Sequence, residues 1–171
     1  MRLGIQAKRI LTPEQLSTIT HLVIPGGEST VMSKFLKNAP IKQMLIDRAV
    51  SGQLSIFGTC AGAILISKNV HPPEKVENMG LIDIDTDRNA YGSQLHSFEE
   101  AVEFLPKKQE ILATFIRAPK ITRVGGEVEV LASHNNQPIL VRQKNILAAT
   151  FHPEYLEEPI IHNYFLQMNK K

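Results

Sequence analysis

The chain contains one cysteine, set in Gly58-Thr59-Cys60-Ala61-Gly62 directly after the apolar run Leu54-Ser55-Ile56-Phe57. A G-x-C-x-G pattern between a strand and a helix has the form of a nucleophile elbow. In such an elbow the attacking atom sits on a tight, strained turn, and flanking glycines remove side chains that would clash as the chain reverses. The thiolate is the reactive form of cysteine, and the positive end of the following helix favours it. Free N–H groups at that helix start can hold an oxyanion. The plainer alternative is a small buried apolar residue in a turn that needs glycine for close packing.

A cysteine nucleophile needs a base that takes its proton and returns it to the leaving group. Residues 146–154 read ILAATFHPE, which places His152 just after an apolar strand and Glu154 two residues further on. In extended chain, residues two apart point to one side. Glu154 can therefore reach the far ring nitrogen, fix the tautomer and stabilise the imidazolium. Read alone, the same segment also describes a strand-end histidine beside a solvated glutamate. His21, His71, His134 and His162 have no companion motif and read as loop or helix-surface residues. No His, Cys, Asp or Glu cluster has metal-ligand spacing, so no metal is expected.

A third segment, LVIPGGEST at 22–30, again joins a strand to a helix. In open α/β sheets ligands bind at that edge. Glycines at 26 and 27 let backbone approach a ligand closely. The N–H of Gly27 is a candidate oxyanion donor, with the N–H of Ala61 as the second. Glu28 suits a substrate ammonium and Ser29 a nearby polar group; equally, Glu28 or Ser29 can cap the next helix. No Walker Lys-Ser/Thr pair follows, so the loop is not a phosphate loop.

These three segments need a sheet to hold them on one edge. Leu22–Ile24 and Leu54–Phe57 read as short buried strands. Helical patterns follow over Ser29–Leu36, Ile41–Val50 and Ala61–Ser67. That alternation predicts parallel strands with crossover helices. The second half changes character. Val128–Ala132 and Ile139–Arg142 flank a turn at His134–Pro138, and Ile146–Phe151 adds a strand, which predicts an antiparallel part. A helix near Pro159–Met168 closes the chain with Ile160, Ile161, Tyr164, Phe165 and Met168 on one face.

The 171 residues suit a single domain, 1–171, able to bury a core without staples. The net charge of +2 comes from mixed charges with no basic arm, which argues against nucleic-acid binding. No apolar run approaches the roughly 20 residues of a membrane span. The N-terminus lacks a signal-peptide core. One cysteine permits no internal disulfide and fits a reducing, cytoplasmic setting.

PGGEST, GTCAG and FHPE, in this order, together resemble a class I, triad-type glutamine amidotransferase domain. RNAYGSQ at 88–94, SFE at 97–99 and FIRAP at 115–119 narrow the resemblance to the glutaminase subunits of pyridoxal 5'-phosphate synthases, over nearly the whole chain. The resemblance implies a flavodoxin-like three-layer sandwich, a mixed sheet flanked by helices. It implies that Cys60 attacks the side-chain amide of L-glutamine, forms a glutamyl thioester and releases ammonia. His152 would act as base and acid, oriented by Glu154. Gly27, Glu28 and Ser29 would line the glutamine site, completed by Arg88 and by Ile116-Arg117. A guanidinium suits the α-carboxylate, and the sequence leaves open which arginine meets it. The implied partner is the synthase subunit, to which ammonia passes within the assembly. The glutaminase itself needs no cofactor.

The sequence departs from that family in three places. Members open with an apolar strand and a Leu-Gln-Gly loop, whereas Met1-Arg2-Leu3-Gly4 matches the end of the helix that follows. The first strand of the family fold, central in its sheet, is therefore expected to be missing, with most of its crossover helix: roughly 20 residues. Ser93 and His96 stand where the family has Arg and Asp. Two other readings stay open: a docking subunit without catalysis, and a cysteine amidotransferase serving another acceptor.

Overall fold

The computed structural model describes residues 3–37, 40–73, 76–88 and 97–168. The family segment at 89–96, including Ser93 and His96, lies outside the described residues. Short helix α1 (Pro13–Ser17) starts where Thr12 caps it, its hydroxyl accepting from the Gln15 N–H, with proline in the first turn. It leads into β1 (His21–Ile24), α2 (Ser29–Lys37) and α3 (Pro40–Val50). β2 (Ser55–Thr59) then runs straight into α4 (Ala61–Ile66). The chain continues through β3 (Ser67–His71), β4 (Ile82–Asp87), β5 (Ser97–Phe104), β6 (Gln109–Ile116) and β7 (Lys120–Val124). It closes with β8 (Glu129–His134), β9 (Gln137–Gln143), β10 (Ile146–Ala149) and α5 (Ile160–Gln167).

The main sheet has the order β1-β2-β10-β9-β8. β1, β2 and β10 are parallel, while β9 and β8 are antiparallel to their neighbours. The mixed α/β architecture with an antiparallel C-terminal part is thus as expected. The β8–β9 turn is tighter than the sequence suggested: Asn135 and Asn136 alone make it, both with positive φ, the backbone of a two-residue hairpin that follows strand twist. The last strand stops at Ala149 rather than Phe151.

β2 is buried at every residue and separates two cores. Its alternation decides which side each residue serves. Ile56 packs with α1, α3 and α4 through Leu16, Leu45, Ile64 and Leu65. Phe57 points the other way, into a second core with Phe104, Phe115, Phe151 and Phe165. That layer combines α5 with the β5–β6 hairpin, an element the sequence did not signal. β3, β4 and β7 form a separate small sheet, where Arg123 bridges Asp83 and Asp85. No described helix is long and apolar enough to cross a membrane.

Candidate active site

β2 and β10 are adjacent and parallel, so their C-terminal ends lie side by side. Cys60 follows the first and His152 the second. The Cys60 N–H donates to the Ala149 carbonyl at 2.8 Å, tying the two strand ends together. Cys60 caps α4 with φ 50° and ψ −107°, a conformation rare for any residue but glycine. The strain expected of an elbow is present, and the packing that enforces it is severe. A Cβ on Gly62 would lie 1.9 Å from the Ile24 carbonyl oxygen, and one on Gly58 2.6 Å from the Gly62 carbonyl oxygen. Helix and sheet are in backbone contact at Cys60, as the GTCAG pattern required.

His152 sits beside that cysteine, with its side chain only 13% exposed. Its Nδ1 meets Glu154 Oε1 at 2.8 Å. The Cys60 sulfur first, and the Glu154 carboxylate second, push its pKa up to about 10 against the opposing effect of burial. Burial works to raise the Glu154 carboxyl. The hydrogen bond from His152, its own backbone N–H and the nearby histidine charges outweigh burial and leave it lower than usual. Imidazolium and carboxylate thus hold each other charged.

The β5–β6 hairpin contacts both residues, His152 through its main chain and Cys60 through its sulfur. The His152 N–H donates to the Thr114 carbonyl at 2.9 Å. The Cys60 thiol lies 3.9 Å from the Ile116 carbonyl oxygen. Arg117 follows with φ 47°, so the strand ends in a left-handed step. Ile116 therefore enters the site by its main chain. The Arg117 side chain is exposed.

The strand-end loop of β1 completes the floor. A Cβ on Gly26 would come within 2.7 Å of His152 Cε1 and 3.4 Å of Cys60 Cβ. The close approach expected of this glycine is made to the His152 imidazole, within the protein itself. Glu28 caps α2, its carboxylate accepting from the N–H of Val31 at 2.8 Å and of Thr30 at 3.1 Å. Those two bonds, Val31 first, hold its carboxyl below the usual range. Arg88 Nη2 lies 3.6 Å from Glu28 Oε1. The Arg88 side chain is 15% exposed, and its Nη1 is buried without a hydrogen-bond partner among the described residues. Ser29 is buried at the start of α2 and Ala61 at the start of α4, whose first N–H has no partner within its own helix.

Two histidines read from sequence as surface residues are packed instead. His21 lies edge-on to Phe165 at 5.3 Å, and His162 edge-on to Phe57 at 5.7 Å. Burial lowers the His162 pKa, with the Glu154 charge opposing. Among the described residues no group of three His, Cys, Asp or Glu could hold a metal ion.

A mixed α/β sheet whose neighbouring strand ends bring together a helix-capping cysteine, a histidine and a carboxylate has the architecture of a triad hydrolase. The sequence matches the SNO glutamine amidotransferase family over residues 1–171. Pyridoxal 5'-phosphate synthase subunit PdxT of Thermosipho africanus is 46% identical, across 99% of this chain and 89% of the relative. A subunit of the same name from Thermus thermophilus is 41% identical, across 98% of this chain and 87% of the relative. A solved crystal structure of a glutamine amidotransferase superposes with a TM-score of 0.91 at 42% identity, covering 98% of this chain and 88% of that one. The chain belongs to the SNO glutamine amidotransferase family.

Proposed function

We propose that this protein hydrolyses L-glutamine to L-glutamate and ammonia and supplies the ammonia to a pyridoxal 5'-phosphate synthase subunit. The observation that carries the reading is the convergence of Cys60, His152 and Glu154 at two adjacent strand ends, with His152 bonded to Glu154 at 2.8 Å. The relatives' name supplies the partner.

In this reading the Cys60 sulfur attacks the side-chain carbonyl carbon of glutamine, and the carbonyl π electrons move to oxygen. The N–H groups of Gly27 and Ala61 receive that oxyanion. As the tetrahedral intermediate collapses, the carbon–nitrogen bond breaks and His152 gives its proton to the departing nitrogen. Ammonia leaves and a glutamyl thioester remains. His152 then takes a proton from water, whose oxygen attacks the thioester carbon. The second tetrahedral intermediate collapses, the carbon–sulfur bond breaks, His152 returns the same proton to sulfur, and glutamate departs. Glu154 keeps the imidazole oriented throughout. Ser29 and Glu28 line the substrate site with the main chain of Ile116. Arg88 fits the α-carboxylate better than Arg117, because it is enclosed and has a donor without a partner among the described residues, whereas Arg117 is exposed.

The test is glutamate formation from glutamine with and without the cognate synthase subunit. Cys60→Ala is expected to abolish it. Arg88→Met is expected to raise KM roughly 10- to 100-fold, the range for a charge-assisted bond to a carboxylate. Arg117→Ala is expected to change KM less. A folded wild-type protein inactive under both conditions refutes the glutaminase; activity in Cys60→Ala refutes the nucleophile.

A further inference from the structure

Cys60 and His152 are almost closed to solvent, yet the turn that follows His152 is not. Cys60 is 8% exposed, while Tyr155, one residue beyond Glu154, is 62% exposed. Its ring nevertheless stands edge-on to the His152 imidazole, with centroids 5.9 Å apart. Its N–H donates to the His152 carbonyl at 3.2 Å, closing the 3-10 turn Pro153–Tyr155. Tyr155 is therefore tied to His152 by ring and by main chain. Leu156 turns back into the core immediately afterwards, so the chain does not drift outward here; one aromatic ring is held out of it. Exposed Glu154, Glu157 and Glu158 surround that ring in sequence.

A solitary exposed aromatic on a protein surface needs no explanation. This one packs on the imidazole and is the outermost large side chain of the turn that carries the catalytic carboxylate. Tyrosine offers a large rigid contact at low entropic cost, and it is enriched among residues that dominate binding energy. We propose that Tyr155 is the anchor of the synthase-docking surface. It enters an apolar pocket rimmed by Lys or Arg, and its seating there steadies the His152 ring. The carboxylates beside it complement the rim and steer the encounter. The inference rests on the glutaminase reading, because ammonia made at Cys60 must leave towards the partner.

The experiment titrates the full chain into the cognate synthase subunit by calorimetry and follows glutamate release by the same mixtures. Tyr155→Ala is expected to weaken Kd roughly tenfold or more and to lower kcat at saturating partner. Tyr155→Phe keeps the ring and is expected to stay near wild type in Kd. Glu157→Lys with Glu158→Lys is expected to weaken binding at low salt and to flatten its salt dependence. Far-UV circular dichroism and melting temperature exclude misfolding. A folded Tyr155→Ala variant that binds and is stimulated like wild type overturns the anchor. A charge-reversed variant with unchanged Kd overturns the basic rim. If the wild-type pair binds but releases no ammonia, the glutaminase reading fails, and the titration still judges Tyr155.

Discussion

Gly26 offers a way to move His152, the proposed base, without replacing it. An alanine there would place its Cβ 2.7 Å from His152 Cε1. Carbon atoms rest at about 3.5–4.0 Å, so the ring must retreat by about 1 Å. It has little freedom to do so, because Nδ1 is bonded to Glu154 at 2.8 Å and Tyr155 stands on the ring. The new Cβ would also press on Cys60 Cβ at 3.4 Å, tending to part nucleophile and base. Gly26 is not among the residues with a left-handed backbone, so the substitution adds bulk without adding strain in φ. A misplacement of about 1 Å costs roughly 100-fold in rate, or about 2.7 kcal/mol in the barrier. Glutaminase kinetics of Gly26→Ala with saturating synthase subunit should show that loss in kcat, with KM changed far less. Gly126→Ala is the control, since nothing lies within 4 Å of a Cβ there. A folded Gly26→Ala protein with kcat within about threefold of wild type would contradict the idea that glycine spaces this imidazole, since the 1 Å displacement worked out above predicts far more.

Three further outcomes follow from the same contacts. Gly62→Ala should destabilise by about 3 kcal/mol or more, because its Cβ meets the rigid Ile24 carbonyl; a melting temperature lowered by less than about 6 °C would show that helix and sheet can separate. Thr59→Val should be neutral or stabilise by up to about 1 kcal/mol in urea, because the Thr59 hydroxyl is buried without a partner among the described residues; a clear loss would show that the hydroxyl is bonded. His152 is raised from 6.5 to about 10 on folding. The stability it contributes is thus complete below pH 6.5 and is lost as pH rises towards 10. Denaturation of wild type and His152→Gln should show a gap that narrows over that range; a constant gap would mean that the charged pairing does not persist in solution.

The geometry of the candidate site was legible where it is local. GTCAG carries its own turn, helix start and packing glycines, and HPE places a carboxylate on the imidazole within three residues. The parallel strands also announced themselves, since buried runs such as Leu54–Phe57 leave few alternatives. The β5–β6 hairpin did not. Its strands carry Glu99, Glu100, Glu103 and Glu110, and glutamate is depleted in strands. Its inward side is recognisable only once Val102 faces Ile111 and Phe98 stacks on Phe115. β4 was a missed opportunity: Ile-Asp-Ile-Asp-Thr-Asp alternates strictly, with Ile82, Ile84 and Thr86 buried. Gly26 was legible as a close approach, but what it approaches depends on His152 arriving from a strand some 120 residues later in the chain. The packed state of His162 was hidden for the same reason, since Phe57 lies on a distant strand.

The carbonyls of Thr114 and Ile116, two residues apart on one strand edge, hold His152 and Cys60 respectively. The proposed nucleophile and base are thus measured from one ruler. A displacement of β6 is therefore felt by both residues at once. The free end of that ruler is the turn Leu105–Lys107, about 20 Å from the reacting atoms at 3.3 Å per strand residue. A fluorophore or affinity handle attached at that tip would report on assembly while leaving the spacing at the working end undisturbed.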